Sequence, residues 1–316
     1  MSEQTPVLPK VKAEYLRRGV ADVGGWLNPS TAVYLSGLEV LQRGTGSTGD
    51  VCEIGIHHGR SFLCLALGLP AGQGAVAIDV FAGSGNVDGS GKGDREIFER
   101  NLKGHGAGDA VQIIRASSLD LDGLGFVAEG RRFRIFSIDG GHTAEITHND
   151  LLVAERTVVA DGLVVLDDVL NRHWLGVITG LFRYWSEGGS LVPAVLVPNK
   201  LILAASADAA ANCRRLMREN FRAGLEKSGV TLAGHEIDVY GEFPWTVRDD
   251  LGGAGPLATT EEQGASRTVP VAYLQDLQRR ARANRPPVRR LAGGLARRMP
   301  WLAARVRPFV SRLRSR

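Results

Sequence analysis

FRIFSIDGGHTAEITHNDLLVAERTVVADGLVVLDDV, residues 133–169, is the clearest structural signal in this chain. Each end is a short apolar run that finishes in acidic residues. Between them Ile146, Leu151 and Leu152 fall on one side of a helix, so the stretch predicts a strand, a helix and a second strand. Strands joined through a helix run parallel, which indicates an α/β sheet.

The same alternation continues on both sides of residues 133–169. It predicts a doubly wound, mostly parallel sheet covered by helices on both faces, with a late antiparallel hairpin strand. Ligands bind such sheets at the carboxyl ends of the strands. The segments that carry the pattern are the strands VCEIGI (51–56), AVAIDVF (75–81), AVQIIRA (110–116) and HEIDVYGEF (235–243), the hairpin LVPAVLVPNKLILAA (191–205), and helices at 61–69, 95–106, 175–185 and 209–225.

Changes in composition divide the chain into four parts. Residues 1–46 carry apolar positions at helical spacing and form a predicted N-terminal helical cap. Residues 47–250 hold the α/β domain, and the Gly-rich segment 251–270 is a predicted flexible linker. Residues 271–316 form a basic tail that is either helical or disordered.

Composition and charge limit the class of protein. The hydrophobic fraction of 44% and the charged fraction of 23% are ordinary for a globular protein. No apolar leader and no run of about 20 apolar residues occurs, so a cytoplasmic protein is expected. The three cysteines have no metal-type spacing and are expected to be buried thiols.

The basic tail contrasts with an acidic body. Thirteen arginines and no acidic residue lie in 279–316, so a net charge of +4 leaves −9 for the rest of the chain. Apolar residues occur at helical spacing among the arginines, which favours an anionic membrane surface as the partner of the tail. That surface would be the inner face of the membrane. Nucleic acid is the less favoured partner. A solvated, disordered tail is the equal alternative, and a homo-oligomer is left open.

The segment EIGIHHGRS (53–61) is the first candidate ligand site. Gly55 and Gly59 at the end of a strand let the backbone approach a ligand, although this turn alone is a weak signal. Asp79 ends the next strand, where a carboxylate accepts hydrogen bonds from both ribose hydroxyls. Together with Glu53 these residues favour a nucleoside site over a solvated strand end. A phosphate-binding loop is excluded at 85–93, because its Gly-Lys lacks the required flanking residues.

Three carboxylates form the second candidate site. Asp139 ends one predicted strand, Asp167 and Asp168 end the next, and His142 follows Asp139 closely. Consecutive parallel strands lie near each other, so these groups are expected to meet and to require a cation. Oxygen ligands suit Mg²⁺ or Mn²⁺ better than zinc. The ordinary alternative is that each Asp only caps the following helix.

These motifs resemble those of a known family. ExGxxxGxS, an Asp on the second strand, IDGxH and LDDV occur in this order over about residues 50–204. They resemble class I S-adenosylmethionine-dependent methyltransferases of the metal-dependent macrolide-sugar O-methyltransferase and cephalosporin-hydroxylase-like group. The resemblance implies a seven-stranded, Rossmann-like sheet. It implies a metal triad of Asp139, Asp167 and Asp168, and cofactor contacts at Glu53, Gly55, Gly59, Ser61, Asp79, Ser117 and Asp139. The His57-His58 pair and Ser117, where an acidic residue is commoner, depart from the family pattern.

The expected reaction is methyl transfer from S-adenosylmethionine to a hydroxyl of a vicinal diol, on a sugar, a glycosylated natural product or a glycan. The cation orients the diol and lowers the pKa of one hydroxyl, and His142 or Asp139 takes the proton as general base. Trp174 either lines the acceptor pocket or packs in the core. Methylation of a catechol-like phenol, a hydroxylase-type relative and a non-catalytic cofactor-binding partner protein remain alternatives.

Overall fold

The computed structural model describes residues 6–81, 91–243, 246–250 and 252–257, and strands and helices alternate along most of them. The strands are β1 (Val7–Leu8), β2 (Asp50–Ile54), β3 (Ala75–Asp79), β4 (Val111–Arg115), β5 (Phe133–Ile138), β6 (Val158–Leu166), β7 (Val192–Val197), β8 (Lys200–Ala204), β9 (Leu225–Leu232), β10 (His235–Tyr240), β11 (Thr246–Asp249) and β12 (Ala254–Pro256). The helices are α1 (Lys10–Glu14), α2 (Val20–Asp22), α3 (Pro29–Gly44), α4 (Arg60–Ala66), α5 (Arg95–His105), α6 (Leu124–Ala128), α7 (Ala144–Thr157), α8 (Leu175–Ser186) and α9 (Ala207–Asn220).

The main sheet has the order β4-β3-β2-β5-β6-β8-β7-β10-β9. Strands β4, β3, β2, β5 and β6 are mutually parallel, and β8 is antiparallel to both of its neighbours. The α/β class, the mostly parallel sheet and the late antiparallel strand are therefore confirmed. Strands β10 and β9 extend the seven-stranded arrangement at one edge.

The parallel strands are nearly continuous apolar runs because helices cover both of their faces. Every residue of β5 is buried, and so is every residue of β2 except Asp50. The chain leaves β2 toward β3 on one side, and β5 lies on the other side. The ends of β2 and β5 therefore form the point where the strand order reverses, which is where such sheets bind ligands.

The N-terminal helices are joined to the sheet by a buried ionic cluster. Lys12 Nζ and Arg134 Nη2 each lie 2.5 Å from an oxygen of Glu39, and all three side chains are fully buried. The predicted N-terminal helical cap, residues 1–46, is interrupted between Asp22 and Pro29. There the guanidinium of Arg60 donates to the carbonyl groups of Val23 and Gly25, which replaces hydrogen bonds that a continuous helix would make.

Several expectations differ from the structure near the C-terminal end. The helix predicted at 209–225 ends at Asn220, and Leu225, its last predicted residue, begins β9, which pairs antiparallel with β10. Residues 254–256, assigned to the linker, form β12 because they pair with β11 in a small sheet with β1. Residues 251 and 258–270 of the predicted linker and the basic tail lie outside the described residues, and so do residues 82–90.

The cysteine prediction is confirmed, since Cys52, Cys64 and Cys213 are buried free thiols. Among the described residues, none of the helices has the length and apolar character needed to cross a bilayer.

Candidate active site

The first candidate site lies where the strand order reverses. Asp139 N donates to the carbonyl oxygen of Ile54, so the two chain segments leave β2 and β5 side by side. Gly55 has a φ of +85°, and a Cβ atom there would lie 1.8 Å from the carbonyl oxygen of Asp139. Only glycine allows this approach, so Gly55 brings the predicted cofactor turn and the predicted metal strand together.

Asp79, at the end of β3, holds the turn that follows β2. Its Oδ2 accepts hydrogen bonds from the backbone N–H groups of Ile56 (2.7 Å) and His57 (2.8 Å), and its Oδ1 accepts one from Phe81. An ionised carboxylate has about four acceptor positions, and this one is partly exposed. Asp79 therefore positions the turn and keeps capacity for a further donor such as a ribose hydroxyl.

Glu53 is placed differently from the other predicted cofactor residues. Its side chain is fully buried, and Oε1 accepts a hydrogen bond of 2.8 Å from Ser137 on β5. Burial raises the pKa of Glu53 to about 7, although the charge of Lys200 opposes the rise. The structure thus places Glu53 inside the sheet, below the edge at which a ligand would bind, and its contact with a cofactor stays a prediction.

The remaining predicted cofactor residues surround the same strand ends. Gly59 precedes α4, and Ser61 is buried in the first turn of that helix. Ser117 lies after β4, where its hydroxyl accepts a hydrogen bond of 3.3 Å from Leu119 N. These positions agree with a cofactor lying across the ends of β2, β3 and β4, and their roles stay predictions.

The three predicted metal carboxylates meet at the adjacent edge. Asp139 follows β5, and Asp167 and Asp168 follow β6, its parallel neighbour. Oxygen or nitrogen atoms of Asp139, His142 and Asp168 all lie within 4.8 Å of one another. The three carboxylates and His142 line one small pocket, together with Gly140 and Gly141. Residues separated by 28 positions in sequence therefore share one pocket.

Asp168 is held by several side chains. It has a φ of +56°, and its Oδ1 accepts hydrogen bonds from Asn171 (2.9 Å) and Asn199 (2.6 Å). Its Oδ2 lies 2.9 Å from Nε2 of His142. Burial raises the pKa of Asp168, but the hydrogen bonds from His142, Asn171 and Asn199 outweigh it, and the net pKa is lowered. Asp168 is therefore ionised at neutral pH.

Lys200 is a site residue that sequence reasoning missed. Its ammonium group is hydrogen-bonded to Asp167 and lies 3.3 Å from Oδ2 of Asp139, and the residue is only 1% exposed. Burial lowers the pKa of Lys200, but the two carboxylates outweigh that effect and raise it, so the group is a cation. A lysine at the start of the apolar run KLILA was the available signal. Its meaning depends on β8 running antiparallel to β6, which brings its first residue to the carboxyl edge.

Trp174 packs against the candidate base. The His142 and Trp174 rings are stacked, with centroids 4.3 Å apart and an angle of 17° between their planes. Trp174 is partly exposed, so it is not a core residue, and its place in the acceptor pocket stays a prediction. His173, beside it, is exposed.

The donor set suits a divalent cation. Oxygen atoms from two aspartates lie close together, next to an imidazole and a cavity. The positive charge of Lys200 balances one of the three carboxylates, which leaves two negative charges if His142 is neutral. That charge and those oxygen ligands match Mg²⁺ or Mn²⁺.

Comparison with known proteins gives one family match. Residues 52–169 match the model of a family described as a methyltransferase domain. The match spans the cofactor turn, Asp79 and all three carboxylates. No curated protein sequence matches the chain.

Several solved structures are similar to part of the chain, with low identity. A putative O-methyltransferase from Klebsiella pneumoniae has 17% identity and a TM-score of 0.44, covering 63% of this chain and 90% of its own. An O-methyltransferase from Bacillus cereus in complex with SAH has 16% identity and a TM-score of 0.43, covering 61% and 89%. The calicheamicin methyltransferase CalS11 has 16% identity and a TM-score of 0.44, covering 60% and 81%.

Proposed function

We propose, from the match of residues 52–169 to a methyltransferase-domain family, that the chain is an S-adenosylmethionine-dependent methyltransferase of class I. We propose further that it methylates a hydroxyl oxygen of a vicinal diol with the help of a divalent cation. The acceptor is a sugar, a glycosylated natural product or a glycan. The observation that carries the proposal is the meeting of Asp139, Asp168 and His142 beside the cofactor turn. A diol offers a cation two neighbouring oxygens at once.

The chain's own residues would hold the cofactor as follows. The turn at Gly55 lets the cofactor approach the backbone, and Asp79 accepts a hydrogen bond from the ribose. Ser117 and the segment after β4 border the base. The sulfonium of S-adenosylmethionine supplies an activated methyl group. The acceptor oxygen would attack the methyl carbon in line, forming the O–C bond as the C–S bond breaks and S-adenosylhomocysteine leaves.

The acceptor would be oriented at the carboxylate edge. Asp139 and Asp168 would hold a divalent cation, which would supply orientation of the acceptor and a lowered pKa of its attacking hydroxyl. Of the triad implied by the family, Asp139 and Asp168 have oxygens grouped with His142. His142 would take the hydroxyl proton at Nδ1, because its Nε2 faces Oδ2 of Asp168, and Asp168 would stabilise the imidazolium that results. Asp139 is the alternative base. Fixed geometry between hydroxyl and methyl group supplies most of the acceleration.

The test is a methyl-transfer assay with labelled S-adenosylmethionine on nucleotide sugars, glycosides and catechols. We expect turnover with a diol-bearing sugar, loss of turnover in EDTA, and recovery with Mg²⁺ or Mn²⁺. Full turnover in EDTA would contradict the metal. Calorimetry that detects no binding of S-adenosylhomocysteine would contradict the enzyme. Turnover with catechols alone would favour the phenol alternative, which the stacked Trp174 also suits.

The tail of residues 271–316 is proposed to bind an anionic membrane surface. Its thirteen arginines and its apolar residues at helical spacing support this proposal. Flotation with anionic liposomes, comparing the full chain with a 1–278 truncation, tests it. Equal flotation of both proteins would contradict it.

A further inference from the structure

The carboxylate of Asp167 is paired with a buried cation of the chain itself. Its Oδ1 accepts hydrogen bonds from Asp168 N (2.7 Å) and from Asn199 Nδ2 (2.9 Å). Its Oδ2 is paired with the ammonium group of Lys200, which is only 1% exposed. Asp168 also has three polar partners, but they are two amides and an imidazole and include no lysine or arginine.

Lys200 is also in the wrong place for a three-carboxylate metal site. Its ammonium group lies between Asp167 and Asp139, and at 3.3 Å from Asp139 Oδ2 it already occupies the space where a cation would bridge these two residues. A second cation placed there would be repelled at close range in a buried environment. The two carboxylates and the ammonium group therefore exclude a metal from the Asp139–Asp167 side.

Asp168 offers a different geometry. It is on the side of the pocket that faces His142, and an oxygen of Asp168, an oxygen of Asp139 and the imidazole nitrogen lie within 4.8 Å of one another. Among the described residues, Asp167 is not part of this group of donor atoms.

We propose that Lys200 is a built-in counter-ion that removes Asp167 from the metal's ligand set, so that the chain holds its cation through Asp139 and Asp168 alone. The inference rests on the proposed metal-assisted function and narrows it. With two protein oxygens, a six-coordinate ion keeps about four positions for water or for the acceptor. The diol then displaces two waters, and acceptor and cation strengthen each other's binding.

The test is Mn²⁺ binding to the full chain, followed by electron paramagnetic resonance without cofactor or acceptor. Asp139→Asn and Asp168→Asn are expected to weaken binding at least about 100-fold, because each removes a ligand. Asp167→Asn is expected to weaken it about tenfold, because the charge of Lys200 is then unbalanced next to the ion.

The deciding variant is the double substitution Asp167→Asn/Lys200→Met. It removes a net-neutral pair and keeps the carbonyl oxygen that Asp168 N requires. We expect its Mn²⁺ affinity to return to within about threefold of the wild type, since neither residue is a ligand. If Asp167 is a ligand, the second substitution will not restore affinity, and the proposal is overturned.

A measurement on the unmodified chain is independent of whether the variants fold. The number of water molecules on bound Mn²⁺, counted from ¹⁷O hyperfine coupling, is expected to be about four. A count of three or fewer would place Asp167 or His142 on the metal and overturn the proposal. Calorimetry with S-adenosylhomocysteine on the same samples reports the cofactor site separately. Failure of the methyltransferase function is therefore distinguishable from failure of the ligand assignment.

Discussion

Nε2 of His142 lies 2.9 Å from Oδ2 of Asp168, although the two residues follow different strands. One carboxylate thus orients the candidate base and belongs to the candidate metal site. Trp174 stacks on a face of the His142 imidazole ring. The carboxylate and the aromatic face together fix the orientation of the imidazole ring. A general base needs such a fixed orientation toward the hydroxyl whose proton it accepts.

Replacement of His142 tests the base. His142→Gln is expected to lower kcat about 100-fold or more, because the amide does not accept the hydroxyl proton. Binding of S-adenosylhomocysteine, measured by calorimetry, should stay unchanged. His173→Gln is the control, since His173 is exposed and precedes Trp174, the residue that stacks on His142. Equal kcat values for His142→Gln and the wild type would remove His142 from the mechanism.

Gly55 tests the close approach of β2 and β5. Gly55→Ala is expected to lower the free energy of unfolding by at least about 3 kcal/mol, because the new methyl group overlaps the carbonyl of Asp139. Gly72→Ala is a matched control: its φ is +86° against +85° for Gly55, but no atom lies within 4 Å of its Cβ position. It should cost about 1–2 kcal/mol, from backbone conformation alone. Urea denaturation of both variants gives the comparison, and equal losses would contradict the overlap.

Asp150 on α7 predicts a pH-dependent stability. The residue is fully buried, and burial raises its pKa to about 7, although hydrogen bonds with Ser118 and Asn149 oppose the rise. Between pH values near 4 and near 7 the folded chain keeps this proton and the unfolded chain does not, so stability falls as pH rises.

Asp150→Asn removes that proton and its pH dependence. Relative to the wild type, the variant is expected to gain roughly 1–3 kcal/mol between pH 5 and pH 7.5, at about 1.4 kcal/mol for each pH unit at most. Denaturant unfolding at the two pH values measures it. Asp161→Asn, at an exposed position, should show no gain. A variant whose stability follows the wild type at both pH values would show that Asp150 is not protonated in the fold.

Glu39 tests the buried ionic cluster. Glu39→Gln leaves the charges of Lys12 and Arg134 buried without their shared partner, so a loss of about 3–5 kcal/mol is expected. Glu99→Gln breaks an ion pair with Arg95 that is about half exposed, and it should cost less than about 1 kcal/mol. Chemical denaturation compares the two. A small loss for Glu39→Gln would mean that water reaches the cluster in solution.

Much of the candidate site could be predicted from the residues that end the predicted strands. The apolar runs before Asp79, Asp139 and Asp167 predicted buried parallel strands, and the helix between residues 133 and 169 predicted that two of them are neighbours. Because neighbouring parallel strands end at one edge, the meeting of Asp139, Asp167 and Asp168 was predictable from local pattern alone. The glycines of the cofactor turn were equally visible.

Only the tertiary structure determined which carboxylate pairs with the buried cation Lys200. Lys200 is 33 residues from Asp167, and its place beside that carboxylate depends on the pairing of Leu201 with Leu166 across an antiparallel strand. The Lys12–Glu39–Arg134 cluster and the pairing of β9 likewise join segments far apart in the chain. Periodicity reports which face of an element is buried but not which charged group it meets there. The sequence by itself therefore determined the α/β fold and the edge where the chemistry lies, and long-range packing determined the charge balance within that edge.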